Sequence, residues 1–217
     1  MGRLGSIAWF LLISFTLTII ANWRYLLYSP QEFNPRIYVT PKDEEIVKLT
    51  YNLTGGWEKF GDLNELVNDV DKMYVWCIFN INPDSKDDNW RMPKETLRAR
   101  SAKCIDYATL LCSMIQYYTK GTVKAYCITI DDEGLMGSVG HAAVQIILPN
   151  NSTLILDPAI LYTTSKPKPT ITETLNYLDA VKAILKMRKP KITMIFNDQT
   201  LMQFKTLNEY IEWLKNQ

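Results

Sequence analysis

A single histidine, His141, stands in a chain of 217 residues, so imidazole chemistry has one place to happen. A metal site built on several histidines is thereby excluded. The four cysteines, Cys77, Cys104, Cys112 and Cys127, form neither a C-x-x-C pair nor a finger spacing, which leaves no zinc framework. Cys104 and Cys112 are eight positions apart on one expected helix, about 12 Å of rise, and cannot bridge each other. An excess of one charge is missing too, since 24 Lys+Arg balance 23 Asp+Glu. Phosphate binding needs clustered positive charge, so nucleic acid is excluded as a partner. Neither G-x-x-x-x-G-K-[ST] nor G-x-G-x-x-G occurs, and no nucleotide or other cofactor is expected.

What is present is an ordinary globular composition, 47% hydrophobic and 22% charged, in a chain long enough for one sizeable core and a segment or two outside it. Residues 1–3 form a short tail. Residues 4–23 then run without a charge between Arg3 and Arg24, and twenty helical residues span about 30 Å, the thickness of a bilayer core. Trp9, Trp23 and Tyr25 lie near its ends, where interface anchors belong. A cleaved secretory signal fits less well, because Ile19 occupies a position that favours a small residue before a cut after Ala21. A buried core helix would show a polar face, and this segment has none. The reading is an uncleaved, single-pass signal anchor. Arg3 on one side is matched by Arg24 and Arg36 on the other, while three N-x-[ST] sequons at Asn52, Asn150 and Asn151 are candidate glycosylation acceptors. They favour a soluble domain outside the cytoplasm.

Residues 24–40, with Pro30 and Pro35, read as a juxtamembrane linker. The domain then opens with a helix capped by Thr40 with Pro41 first, acidic in its first turn, and stopped at Gly55-Gly56. Asp62 with Glu65 is a capping-box pattern for a second helix, whose Leu63, Leu66, Val67, Val70, Met73, Tyr74 and Cys77 recur at helical spacing. Residues 82–90 read as a loop and Pro93 as the start of a short helical turn. Ser101 is expected to cap the next helix, carrying Cys104 near its start and Leu110, Leu111, Met114, Ile115 and Tyr118 inward, with Gly121 at its end. Three strands follow at hairpin distances: residues 123–130, a second beginning at His141, and residues 153–157 ending at Asp157. Helices first and consecutive strands after them argue an α+β fold with an antiparallel sheet, over residues 41–164. Cys77, Cys112 and Cys127 sit among apolar residues and read as buried small hydrophobes.

Residues 165–217 read as a helix–strand–helix extension packing on this core. S-K-P-K-P is an extended linker, Thr170 with Glu173 a capping box, and Ile171, Leu175, Leu178, Val181 and Leu185 an amphipathic stripe. Residues 191–196 make a further strand, and Thr206 with Glu209 caps a last helix.

Three residues carry chemistry. Cys104 lies in R-A-R-S-A-K-C-I-D-Y-A-T-L-L, His141 in G-H-A-A-V-Q and Asp157 in L-I-L-D-P-A. A cysteine, a histidine and a carboxylate are the parts of a thiol nucleophile, its general base and the group that orients the base. A helix N-terminus favours the thiolate through its unpaired N–H groups, which also suit an oxyanion. His141 and Asp157 are separated by one hairpin, so neighbouring strands can bring them side by side. Taken singly, each has a plain structural explanation, as a core thiol, a polar strand end and a turn former. Their combination is what speaks for function.

In that order the motifs resemble the transglutaminase-like core, a papain-like family, over residues 66–159. The blocks that carry the resemblance are C-I-D-Y-A, G-H-A-A-V-Q and L-D-P-A. The resemblance implies Cys104 as nucleophile, His141 as base and Asp157 as orienter, with Asp106 and Tyr107 supporting the helix. It departs at Ala102, where the family usually has glycine, and at Ala143 and Gln145, where H-A-W-x-E is common. An NlpC/P60-type peptidase or an arylamine acetyltransferase fits less well, and papain proper places its histidine much further along. The expectation is a membrane-anchored thiol enzyme that cleaves or transfers amide or acyl groups on a protein or peptide substrate. The alternative is a catalytically silent module of the same fold that binds a peptide or surface partner.

Overall fold

Residues 124–157 are rich in apolar and β-branched side chains with little alternation, and a strand without a polar side must be covered on both faces. The computed structural model describes residues 33–56, 62–84, 89–132 and 140–217, and in it the sheet is buried from both sides. Strands β3 (Lys124–Asp132), β4 (His141–Ile147) and β5 (Ser152–Asp157) form its middle, and every residue of β4 and β5 is buried. The expected anchor at residues 4–23 lies outside the described residues, as does the linker up to residue 32. Among the described residues no helix is long and apolar enough to cross a membrane.

Among the described residues, four α-helices precede the sheet. They are α1 (Glu44–Thr54), α2 (Leu63–Asn80), α3 (Pro93–Ala99) and α4 (Cys104–Thr119). Thr40 is not the cap of α1. Asp43 takes that role by accepting a hydrogen bond from the Glu45 amide at 3.0 Å, because a carboxylate one residue before the first turn satisfies its orphan N–H groups better than a distant hydroxyl. The Thr40 amide instead donates to Ser113 Oγ at 2.9 Å. Gly55, at φ +75°, ends α1 in the left-handed conformation that glycine adopts at least cost. Asp62 caps α2 through the Asn64 amide, and Leu66, Val70, Met73, Tyr74 and Cys77 face the core while Leu63 stays exposed.

Helix α4 runs through the middle of the first core, with Leu110, Leu111, Met114 and Ile115 fully buried. Ser101 does not cap it. It lies in β2 (Ser101–Ala102), paired in parallel with β1 (Asn82–Pro83), so part of the expected 82–90 loop is a two-residue strand.

Strands β6 (Tyr162–Thr163), β7 (Lys168–Pro169), β8 (Pro190–Phe196) and β9 (Leu201–Gln203) complete a seven-stranded antiparallel sheet of order β6-β5-β4-β3-β8-β9, with β7 also on β5. The segment read as an extension thus supplies β8, which pairs with β3 directly. Helices α5 (Thr170–Leu185) and α6 (Leu207–Lys215) close a second core. It comprises Ile128, Ile130, Ala143, Ile155, Tyr177, Val181, Ile192, Ile195 and Tyr210, on the face opposite α4.

The expected stripe on α5 is rotated. Its buried residues are Thr170, Glu173, Thr174, Tyr177, Leu178 and Val181, whereas Leu175 and Leu185 are exposed. Thr170 and Glu173 form no capping box, because tertiary partners claim both. The Thr170 hydroxyl donates to the Asn151 carbonyl, and Glu173 receives Tyr162, Thr164 and Lys168.

A candidate thiol active site

Cys104 is the first residue of α4 and partly exposed. Its position is fixed from behind by Asp106, which is fully buried. One carboxylate oxygen accepts from the Lys103 amide at 3.1 Å and the other from the Arg91 amide at 2.9 Å. The first turn is thereby capped and the segment after residue 89 is tied to it. The Arg91 side chain extends the tie to Ser101 and Asp84. Tyr107 reaches the Ile81 carbonyl at 2.6 Å. The C-I-D-Y-A block therefore has a physical reading: its aspartate and tyrosine set the start of the helix that presents the thiol.

His141 begins β4 and Asp157 ends β5. The antiparallel register pairs Val144 with Leu156, which sets Asp157 across from Ala143 and diagonal to His141 on one face of the sheet. His141 Nε2 lies 2.5 Å from Asp157 Oδ2, both groups being buried. Asp157 Oδ1 accepts the Ala159 amide at 3.1 Å, an Asx turn that explains the D-P-A sequence after the strand. Burial alone would push the imidazole toward neutrality. The hydrogen bonds it donates to Asp157 and Cys104, together with their charges, overcome it and raise His141 to about 9. With Nε2 committed to the carboxylate, Nδ1 is the ring nitrogen left to face the thiol. Of the three expected residues, His141 and Asp157 are in direct contact, and Cys104 lies near enough to act on the imidazole.

One neighbour was not visible in the sequence pattern. Tyr177 on α5 is fully buried and its hydroxyl donates to Asp157 Oδ2 at 2.7 Å, and desolvation together with the carboxylate pushes that phenol well above its ordinary value. The available signal was the polar series Thr170, Glu173, Thr174 and Tyr177, spaced for one helix face. Tyr74, on α2, also feels the Asp157 charge. Ala143 and Gln145, the departures from H-A-W-x-E, are both fully buried. Gln145 bonds Thr174 and Tyr210 under α5 and α6, so these two positions carry packing of the second core.

Asn52, Asn150 and Asn151 are exposed. Cys77, Cys112 and Cys127 are buried and unbridged, and burial pushes the Cys77 thiol up to about 12. Among the described residues no cluster of three or more His, Cys, Asp or Glu side chains could hold a metal.

A family model described as a transglutaminase-like domain matches residues 57–189, more than half the chain. The chain belongs to the transglutaminase-like family. No curated protein matches it. Among solved structures, Legionella pneumophila LapG is similar at 16% identity and a TM-score of 0.50, over 82% of this chain and 97% of LapG. A Cytophaga hutchinsonii protein described as a candidate cysteine protease matches at 21% identity and a TM-score of 0.43, over 58% of this chain. The match spans only 40% of that protein's length. The likeness to LapG is one of fold.

Proposed function

We propose that this transglutaminase-like chain is a thiol enzyme that cleaves or transfers amide or acyl groups on peptide substrates through an acyl-enzyme on Cys104. The observation that carries the reading is the buried His141–Asp157 pair at 2.5 Å, beside a thiol on the first residue of α4 that raises the imidazole further. Cys104 Sγ attacks the carbonyl carbon as a thiolate, its proton already held by His141. The oxyanion that forms lies within reach of the N–H groups of the first turn of α4. Collapse expels the amine, which takes the proton from His141. Water or a second amine then attacks the thioester, releasing an acid or a new amide and returning a proton to sulfur. Asp157 holds the imidazole ring in its orientation.

Because Cys77, Cys112 and Cys127 are buried, iodoacetamide on the folded full-length protein in detergent reports Cys104. Its alkylation at neutral pH is expected to exceed that of an ordinary exposed thiol, and to fall about tenfold or more in His141→Ala. An ordinary rate, indifferent to that substitution, would overturn the reading.

The membrane assignment belongs to the same proposal. Residues 4–23 anchor the enzyme, with the folded domain extracytoplasmic. Full-length protein is expected to float with lipid vesicles in a density gradient, and protein lacking residues 1–32 to stay behind. Equal behaviour of the two removes the anchor.

A further inference from the structure

Asp157 sits at the bottom of the site with two side chains on one oxygen. His141 Nε2 reaches Oδ2 at 2.5 Å and the Tyr177 hydroxyl reaches the same Oδ2 at 2.7 Å, while Oδ1 holds the Ala159 amide. The carboxylate is thus held at both oxygens, and two of its three partners belong to other elements. Tyr177 is delivered by α5, which is itself pinned. Glu173, one turn earlier and fully buried, receives Tyr162 at 2.8 Å, Thr164, and Lys168 at 3.0 Å. The rings of Tyr162 and Tyr177 pack at 5.0 Å. The segment that follows Asp157 therefore grips the helix that returns to Asp157.

We propose that Tyr177 is a positioning residue of the site: its hydroxyl fixes the plane of the Asp157 carboxylate and so the ring orientation of His141. The inference rests on the thiol-enzyme reading for its consequence but not for its geometry. A donor on Oδ2 spreads the carboxylate charge between two partners. Its removal leaves His141 as the principal partner of that oxygen, and the imidazolium is held more tightly. The titratable and charged groups around the pair are Cys104 on α4, Tyr74 on α2 and Tyr177 on α5, with Tyr162 and Glu173 one step beyond.

The test uses the single histidine as its own probe. With selective ¹³C-histidine labelling, full-length protein gives one imidazole signal, whose midpoint is read against pH without any substrate. In Tyr177→Phe the midpoint is expected to rise by about half a unit or more. On a peptide amide substrate, kcat is expected to fall about fivefold with KM unchanged, the rate equivalent of one hydrogen bond. Tyr162→Phe, which loosens the same helix through Glu173 without touching Asp157, is expected to leave the midpoint in place. A fluorotyrosine at 177 keeps ring and hydroxyl, strengthens the donor and is expected to lower the midpoint, which decides the matter if the phenylalanine variant does not fold. An unmoved midpoint in these Tyr177 variants, or an equal shift in Tyr162→Phe, overturns the proposal. Failure of the thiol-enzyme reading looks different: Cys104 alkylation would be ordinary in the unmodified protein, whatever Tyr177 does to His141.

Discussion

His141 is the residue on which the electrostatics of the site converge. Its midpoint is raised from 6.5 to about 9 against the opposing effect of burial, chiefly through Asp157 and then Cys104. A raised histidine stabilises the fold through its protonated form, so the contribution is complete below pH 6.5 and is lost as pH climbs through about 9. Asp157→Asn removes the leading favourable partner and leaves the burial. The histidine signal is then expected to titrate below 6.5, and thermal stability to lose its decline between those two pH values. A variant that still titrates near 9 would show that Asp157 is not the source. The residues of this pair were legible beforehand because a lone histidine, a motif cysteine and an aspartate closing a strand leave few ways to combine. Tyr177 was not, because a tyrosine among Leu175, Leu178 and Val181 reads as one more apolar position, and its hydroxyl acquires a partner only once α5 is docked.

At the scale of elements, the recurring difference lies in what polar side chains do. Thr40, Ser101 and Thr170 all have the composition of N-caps, yet Asp43, Lys103 and Pro169 occupy those positions. A local cap and a tertiary hydrogen bond have similar worth, about 1 kcal/mol, so propensity decides only where no tertiary partner competes. Helix α5 shows the larger consequence. A stripe drawn through aliphatic residues misses the true face, because buried Thr170, Glu173, Thr174 and Tyr177 are satisfied by Asn151 in the turn before β5, by β4 and β5, and by Tyr162, Thr164 and Lys168. The two readings of the face predict opposite mutational patterns. Val181→Ala is expected to cost about 1–3 kcal/mol in urea unfolding, whereas Leu175→Lys costs less than about 0.5 kcal/mol. Glu173→Ala, which leaves Tyr162, Thr164 and Lys168 facing a gap, is expected to cost more than either. An intolerant Leu175 would restore the aliphatic stripe as the packing face. The same carboxylate gives α5 an acid sensitivity. Burial would raise Glu173, but Thr164, Lys168 and Tyr162 hold it below the usual range, so its contribution is present above that range and fades as pH falls through its lowered value.

Across the whole molecule, the sheet is the device that turns distant sequence into one site. Helix α4 covers one face and presents Cys104 at its start, while α5 covers the other and carries Tyr177. His141 and Asp157 stand at the ends of the strands between them. The order of β3, β4 and β5 follows from hairpin spacing and was expected. The pairing of β8 with β3 was not, since a strand more than fifty residues further on has no local reason to choose the β3 edge of the β3-β4-β5 meander rather than the β5 edge. Its choice is set by burial: Ile192, Ile195 and Phe196 are fully buried, and β3 needs a second neighbour for its outward backbone groups. The residues matched by the family model end at 189, immediately before this strand. A chain stopped there keeps all three candidate site residues and Tyr177, yet it loses β8 and α6 and bares the edge of β3. Each large buried side chain removed costs about 2–5 kcal/mol, against a whole-domain stability of about 5–15 kcal/mol. The truncated chain is therefore expected to show neither a cooperative unfolding transition nor the raised His141 signal. A cooperative transition with that signal intact would mean that the family-matched region folds without its closing strand.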